Sequence, residues 1–216
     1  MAAKNQKYLE MMRDIYDISA GLGLKTFIWG GFAVDILHGD FTREHGDLDC
    51  FTENLVENID ELIRRYEALG YSAKYIEEFW MLDIEMDGVH ATFNAAKNIG
   101  RILHWYLIGA GGTVFCPYEW LDEKPRLFHG VPVYTFGANL AYLIKSNVKL
   151  ITPEWQPRDK DIADIKILKQ ILSAQKVDID EIKKKIWTHH PYWYAKGYEE
   201  YYFPMTVDTT PRGGIS

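Results

Sequence analysis

One stretch of the sequence, residues 27–51, constrains this chain more than any other: FIWGGFAVDILHGDFTREHGDLDCF. It begins as an apolar run that predicts a strand, breaks at Gly30 and Gly31, and ends on Asp47 and Asp49. Because side chains alternate along a strand, aspartates spaced two residues apart point to the same face. Their charges repel each other unless a cation lies between them, and paired carboxylates are hard oxygen ligands that suit Mg²⁺.

The glycine pair adds a second element to this stretch. Without a Cβ atom, Gly30 and Gly31 allow backbone N–H groups to approach a phosphate closely. Each feature alone has a commoner explanation, since Asp-x-Asp often marks a solvated strand end and Gly-Gly an ordinary turn. In this order, with Arg43 and His45 between them, the two features predict a metal-assisted phosphoryl or nucleotidyl transfer site.

These residues resemble the signature of the polymerase-beta-type nucleotidyltransferase superfamily. The match is Gly-Gly-x-x-x-Asp over residues 30–35, followed by Thr-Arg-x-His-x-Asp-x-Asp over residues 42–49. The pattern is closest to that of small bacterial enzymes that adenylylate aminoglycoside and lincosamide antibiotics. The resemblance implies an α+β fold, in which a mixed sheet with helices is followed by a smaller helical lobe.

The resemblance also implies roles for the residues of the signature. Asp47 and Asp49 would hold one or two Mg²⁺ ions that bridge the triphosphate of ATP, or of another nucleoside triphosphate. Gly30 and Gly31 would bind the phosphates through their backbone amides. The planar guanidinium of Arg43 suits two phosphate oxygens at once, and an internal ion pair or a surface charge is the alternative.

Other residues of the family pattern have roles that the sequence leaves open. His45 would hydrogen-bond the turn, contact phosphate or order the loop, and Asp35 suits a structural role as well as ligation. Lys145 has helical spacing and would reach a phosphate or extend along the surface. The cluster at residues 158–164 resembles a family feature, although acids in the first turn of any helix are favoured by its dipole.

The sequence departs from the family at the third carboxylate. Relatives carry an aspartate in a strand pattern like Val-Asp-x-His, whereas residues 91–94 here read Ala-Thr-Phe-Asn and place Thr92 at that position. The turn signal at residues 87–88, Asp-Gly, predicts a type I′ hairpin that sets Asp83 opposite Thr92, with Glu85 on the same face. Either Asp83 or Glu85 replaces the missing carboxylate, or this face is merely solvated.

Along the chain, periodicity and turn residues predict a mixed α/β lobe over residues 1–135 and a helical lobe over 136–216. Asn54 is predicted to cap the helix that follows the paired-aspartate strand. Val131–Thr135 is predicted to be the last strand. The aromatic tail at 187–203 would stack on a base or substrate, pack internally or form a homodimer interface.

Length, net charge and composition limit the classes of molecule that this chain is expected to bind. At 216 residues the chain suits one domain or two small lobes that share a cleft. Its net charge of −7 argues against nucleic acid and favours a small-molecule acceptor, a cationic one if the cleft is acidic. We expect no membrane association and a cytoplasmic location, since the sequence has neither a signal peptide nor a long apolar run. Cys50 and Cys116 give no disulfide framework.

Together these features predict a nucleotidyltransferase that moves AMP from Mg·ATP to a hydroxyl of a small molecule and releases pyrophosphate. The alternative is a catalytically weakened, nucleotide-binding or antitoxin-like partner protein of the same fold, which Thr92 would explain. A further alternative is a nucleotidyltransferase of the same kind whose acceptor is a protein side chain.

Overall fold

The architecture comes from a computed structural model that describes residues 3–107, 112–146, 156–183 and 187–189. Within these ranges the helices are α1 (Ala3–Gly21), α2 (Gly30–His38), α3 (Ile59–Ala68), α4 (Ala138–Ser146), α5 (Asp159–Ala174) and α6 (Ile179–Lys183). The strands are β1 (Thr26–Trp29), β2 (Leu48–Glu53), β3 (Ser72–Ile76), β4 (Met81–Met86), β5 (Val89–Ile99), β6 (Ile102–Leu107), β7 (Gly112–Pro117), β8 (Arg126–Phe128), β9 (Val131–Thr135) and β10 (Trp187–His189). None of the helices in these ranges has the length and apolar character needed to cross a bilayer.

The strands form one mixed sheet. Its order is β10-β7-β6-β5-β2-β1-β9-β8, with β4 beside β5 and β3 beside β4. β2 runs parallel to β5 and β1 runs parallel to β9, whereas β1 and β2 are antiparallel. The long strand β5 is central, because it pairs with β2 along one edge and with β4 and then β6 along the other.

Alternation along the strands divides the core between the two faces of the sheet. On one face, α1 and α3 pack Tyr8 and Tyr66 into a cluster that includes Cys50 of β2. On the other face, α4 and α5 pack residues such as Leu168 against Phe51 of β2. Asp49 precedes Cys50, so its side chain lies on the face that carries α4 and α5.

The predicted hairpin is confirmed. Asp87 and Gly88 have φ values of 53° and 77°, which are the positive values that a type I′ turn requires. β4 and β5 pair in the predicted register, with Asp83 opposite Thr92. Polar residues of β4 therefore share one face of the sheet while its apolar residues enter the core.

Two local predictions were wrong. Asn54 does not cap α3: it has a left-handed φ of 55°, and the helix begins at Ile59 after a 3₁₀ turn at Val56–Asn58. Asparagine tolerates this conformation, which here turns the chain after β2. Val131–Thr135 forms β9 but is not the last strand, because Trp187–His189 adds to the sheet beside β7. The rest of the aromatic tail lies outside the described residues, and the two-lobe division stays a prediction.

Candidate active site

The two signature aspartates lie at the start of β2. Asp49 pairs with Trp29 on β1 and with Thr92 on β5, while Asp47 precedes the strand and is exposed. Burial, and after it the charge of Asp47, raise the pKa of Asp49 to about 6. The positive charges of Lys145 and Lys160 offset only part of this rise. A divalent cation would supply further positive charge to the carboxylate pair.

Gly30 and Gly31 begin α2 directly beside the aspartates. Gly30 has a left-handed φ of 68°, and a Cβ atom there would collide with the carboxylate of Asp49. A Cβ atom on Gly31 would collide with the guanidinium of Arg43 and lie 2.8 Å from the ring of His45. Only glycine therefore permits this close packing. The first turn of α2 also carries N–H groups without intrahelical partners, which suit a phosphate.

Asp35 and His45 fasten the loop between α2 and β2. Asp35 Oδ1 accepts hydrogen bonds from Thr42 N and Oγ1 at 3.1 and 2.6 Å, and Asp35 Oδ2 lies 2.6 Å from His45 Nε2. The ring of His45 stacks on Phe32 with a centroid separation of 3.9 Å. Both Asp35 and His45 are buried. Of the roles that the sequence left open, this placement supports ordering of the loop, and a phosphate contact by His45 stays a prediction.

Across the cleft, cationic side chains surround two carboxylates of α5. Lys145 Nζ on α4 lies 2.7 Å from Asp164 and 3.4 Å from Asp161. Arg43 lies 3.3 Å from Asp164, and Arg158 lies 2.7 Å from Asp161. Both carboxylates are only 1% exposed. Three cationic side chains, those of Arg43, Lys145 and Arg158, thus surround two carboxylates. This side of the cleft, which we call the basic wall, therefore carries surplus positive charge.

Two hydrogen-bond donors in the cleft find no partner among the residues that the structure describes. Arg43 Nε and Trp29 Nε1 are both buried and unpaired, although Arg43 is in an ion pair through its Nη2 atom. Both residues line a cleft of about 220 Å³ that also contains the glycines, the aspartates and the exposed Lys160. Since buried donors are nearly always paired, these two fit a ligand that brings acceptor oxygens.

These features fit a divalent cation at the aspartates and phosphate oxygens beside the basic wall. In the part of the chain that the structure describes, no group of three or more His, Cys, Asp or Glu residues is placed to hold a metal ion alone. A cation at Asp47 and Asp49 would therefore complete its coordination with water and phosphate oxygens, as Mg²⁺ commonly does.

Asp83 and Glu85 lie on the same face of the sheet but farther from the cleft. Thr92 separates Asp83 from Asp49, and its Oγ1 donates a 2.8 Å hydrogen bond to Asp83. Two strand spacings place the backbones of Asp83 and Asp49 about 10 Å apart. Glu85 is exposed and pairs with His90. This separation does not support either residue as a third ligand of one shared ion, and their catalytic role stays a prediction.

Sequence reasoning missed part of the cleft. Trp29, Phe136, Ala141 and Ile144 also line it. Trp29 had a signal, because it is the last residue of the strand before the glycine pair. The other three look like ordinary core positions. The packing of α4 against α2 brings Ala141 and Ile144 to the site, and Phe136 lies between β9 and α4.

A family model described as aminoglycoside-2''-adenylyltransferase matches residues 11–90, which is less than half of the chain. Comparison with curated protein sequences found no match. The family match spans both glycines, both aspartates and the β4–β5 hairpin as far as His90.

Solved structures share the fold over most of the chain. A crystal structure of ANT(2'')-Ia in complex with adenylyl-2''-tobramycin has a TM-score of 0.63 at 18% identity, covering 82% of this chain and 95% of that one. The solution structure of the antibiotic-resistance factor ANT(2'')-Ia has a TM-score of 0.62 at 18% identity, covering 83% and 90%. The lincomycin-bound lincosamide adenylyltransferase LnuA has a TM-score of 0.56 at 18% identity, covering 73% and 93%.

At these identities the structures establish the fold, and the family match adds the signature region. The predicted α+β fold is confirmed. The matching family model and LnuA are both described as adenylyltransferases, in agreement with the predicted enzyme class. The predicted resemblance to small antibiotic nucleotidyltransferases is therefore confirmed, and the chain has the fold of that group.

Proposed function

We propose that this chain transfers a nucleoside monophosphate, AMP from ATP with Mg²⁺, to a hydroxyl of a small molecule and releases pyrophosphate. The observation that carries the proposal is the polarity of the cleft. Asp47 and Asp49 lie on its floor beside the Gly30–Gly31 turn, opposite the basic wall of α4 and α5. A metal-bound triphosphate needs both: carboxylates for the cation and positive charge for the phosphates.

The chain's own residues would mainly position the nucleotide. The N-terminal amides of α2 would bind phosphate, since Gly30 and Gly31 allow its close approach. Arg43, through its unpaired Nε, and Lys145 would stabilise the charge that develops on the leaving pyrophosphate. A divalent cation bound at Asp47 and Asp49 would neutralise negative charge on the phosphate oxygens.

The proposed acceptor is an aminoglycoside or a lincosamide antibiotic. Support comes from the family match, from the tobramycin adduct in ANT(2'')-Ia and from the lincomycin in LnuA. The net charge of −7 favours a cationic acceptor through long-range attraction. Both antibiotic classes offer hydroxyl groups, so each belongs in the test.

Calorimetric titration of ATP with Mg²⁺ tests the site before any acceptor is known. We expect saturable binding to the wild type, no binding without the metal, and loss of binding in the Asp47→Asn/Asp49→Asn double variant. Asp17→Asn, an exposed change on α1, is the matched control. Equal binding by the double variant would exclude Asp47 and Asp49 as the metal site.

Thr92 favours a second candidate, a nucleotide-binding or antitoxin-like partner protein with weakened catalysis. The resemblance implies a carboxylate at this position, whereas the Thr92 hydroxyl donates a hydrogen bond to Asp83. The retained glycine and aspartate geometry favours the enzyme instead. Saturable binding of Mg·ATP without pyrophosphate release, with either antibiotic class or with a protein acceptor, would favour this second candidate.

A further inference from the structure

A histidine and a carboxylate meet beside the signature aspartates, outside the cleft. His90 Nε2 lies 3.5 Å from Asp83 Oδ1 and 3.5 Å from Thr92 Oγ1, and Thr92 Oγ1 donates to the same Asp83 oxygen at 2.8 Å. His90 is 40% exposed and Asp83 is 28% exposed, so the group is open to a ligand. Carboxylate–imidazole pairs of this kind orient a histidine that acts as a base.

The register of the sheet places this group next to the aspartates. Leu48 pairs with Ala91, so Asp47 and His90 each lie one residue before that pair on neighbouring parallel strands. The electrostatic surroundings of Asp49 are consistent with this proximity. Burial has the largest effect and raises the pKa of Asp49, whereas the charge of His90 lowers it.

Tyr8 of α1 lies beside the start of β5 and the loop before β2. The Tyr8 hydroxyl donates a 2.6 Å hydrogen bond to the Gly46 carbonyl, one residue before Asp47. Burial raises the pKa of Tyr8, a hydrogen bond with the backbone of His90 lowers it, and the charge of Asp47 raises it. Tyr8 therefore lies beside both the loop before β2 and the start of β5, close to Asp47 and His90.

The two sides of Asp49 differ in chemistry. On the β1 side lie the glycine turn and the basic wall, where a leaving pyrophosphate would be stabilised. On the β5 side lie Thr92, His90 and Asp83. An in-line displacement at phosphorus needs the attacking and leaving oxygens on opposite sides. The β5 side is therefore where an acceptor hydroxyl would enter.

We propose that His90 is the general base for the acceptor hydroxyl and that Asp83 is its positioning residue, together replacing the carboxylate that is missing at Thr92. This inference rests on the proposed function. With Nε2–H turned towards Asp83 Oδ1 at 3.5 Å, Nδ1 is left to take the hydroxyl proton. The acceptor oxygen then bonds to the α-phosphorus, the bond from that phosphorus to the bridging oxygen breaks, and pyrophosphate leaves with the electron pair. The imidazolium releases its proton to solvent.

This assignment differs from one in which Asp83 acts directly. Thr92 and His90 both approach Asp83 Oδ1, so that oxygen is already occupied. The groups that face His90 are Asp83 and Glu85 on β4, Asp47 and Asp49 around β2, and Tyr8 on α1. An imidazole is intrinsically a stronger base than a carboxylate, which suits it to accept the proton of a hydroxyl.

The test measures pyrophosphate release with tobramycin or lincomycin, alongside the dissociation constant of Mg·ATP. His90→Gln should lower kcat by about 100-fold or more while Mg·ATP binding changes less than about twofold. His38→Gln, an exposed histidine change on α2, should change neither quantity. Asp83→Asn should lower kcat less than His90→Gln, and the two changes together should cost no more than His90→Gln alone.

A rescue experiment distinguishes a catalytic role of His90 from a purely structural one. Introducing Thr92→Asp into the His90→Gln protein restores the family carboxylate, so kcat should recover at least about tenfold. The fall of kcat at low pH should also move to lower pH, because a carboxylate stays ionised where imidazole is protonated.

Four results would contradict the inference. If His90→Gln keeps kcat within about threefold, or if Asp83→Asn costs more than His90→Gln, His90 is not the base. If Thr92→Asp neither restores kcat nor moves the pH profile, the assignment also fails. In each of these cases the proposed function survives, since the wild type turns over. A wild type that binds Mg·ATP but forms no product with any acceptor would overturn the proposed function, and this inference with it.

Discussion

Replacing Asp49 with asparagine should stabilise the metal-free protein. The folded protein raises the pKa of Asp49 from 3.8 to about 6, first through burial and then through Asp47. Above pH 6 the folded chain must therefore keep a charge that the unfolded chain carries more easily. Each pKa unit corresponds to about 1.36 kcal/mol, so the full effect is about 3 kcal/mol. Because Asp49 keeps some contact with solvent, we expect a gain of about 1–3 kcal/mol for Asp49→Asn at pH 8.

The sign of the pH dependence follows from the same shift. As the pH falls from 8 through 6 towards 4, the folded wild type takes up a proton before the unfolded chain does. The wild type thus regains stability that it lacks at pH 8, and the advantage of Asp49→Asn shrinks. The exposed change Asp17→Asn should show no such trend.

Urea unfolding with EDTA, followed by circular dichroism at pH 8, 7, 6 and 5, measures this difference in unfolding free energy. Adding Mg²⁺ with ATP should reverse the order, because only the wild type binds the ligand and gains stability from it. An Asp49→Asn protein that is less stable than the wild type at pH 8, or an advantage that does not change with pH, would refute the reasoning.

Further predictions follow from the glycine turn, the loop and the basic wall. Gly31→Ala should weaken Mg·ATP binding at least about tenfold in calorimetry, because its Cβ collides with Arg43, whereas Gly46→Ala has open space and should not. Asp35→Asn should lower the unfolding free energy by about 1–3 kcal/mol in urea titrations, because it weakens a buried bond to the loop. Lys145→Met should both lower stability and weaken ATP binding, since it leaves a buried carboxylate of α5 with less compensation; unchanged ATP affinity would separate Lys145 from the phosphates.

The sequence predicted those parts of the fold that depend on residues close to one another along the chain. The turn at Asp87-Gly88 fixed the β4–β5 register, because both φ values must be positive there and a two-residue loop leaves one pairing. The stretch from Gly30 to Asp49 was likewise predictable, since glycines, aspartates and their spacing carry the geometry themselves.

Long-range packing was not predictable in the same way. Trp187–His189 pairs with β7, although the sequence offers no turn or spacing that links the two. The bond between Asp35 and His45 and the ion pair between Arg43 and Asp164 are tertiary contacts, so patterns in one segment could not reveal them. The sequence shows that Thr92 departs from the family pattern. The contact between His90 and Asp83 is visible only in the structure.

In the reaction that we propose, Asp47 and Asp49 support metal-dependent transfer of AMP to a small-molecule hydroxyl. Mass spectrometry of tobramycin and lincomycin after incubation with Mg·ATP and the protein tests it most directly. With the wild type we expect an acceptor that gains one AMP unit, and with EDTA or with the Asp47→Asn/Asp49→Asn protein we expect no adduct. An adduct formed equally well by the double variant, or none formed with any antibiotic of either class by a wild type that binds Mg·ATP, would contradict it.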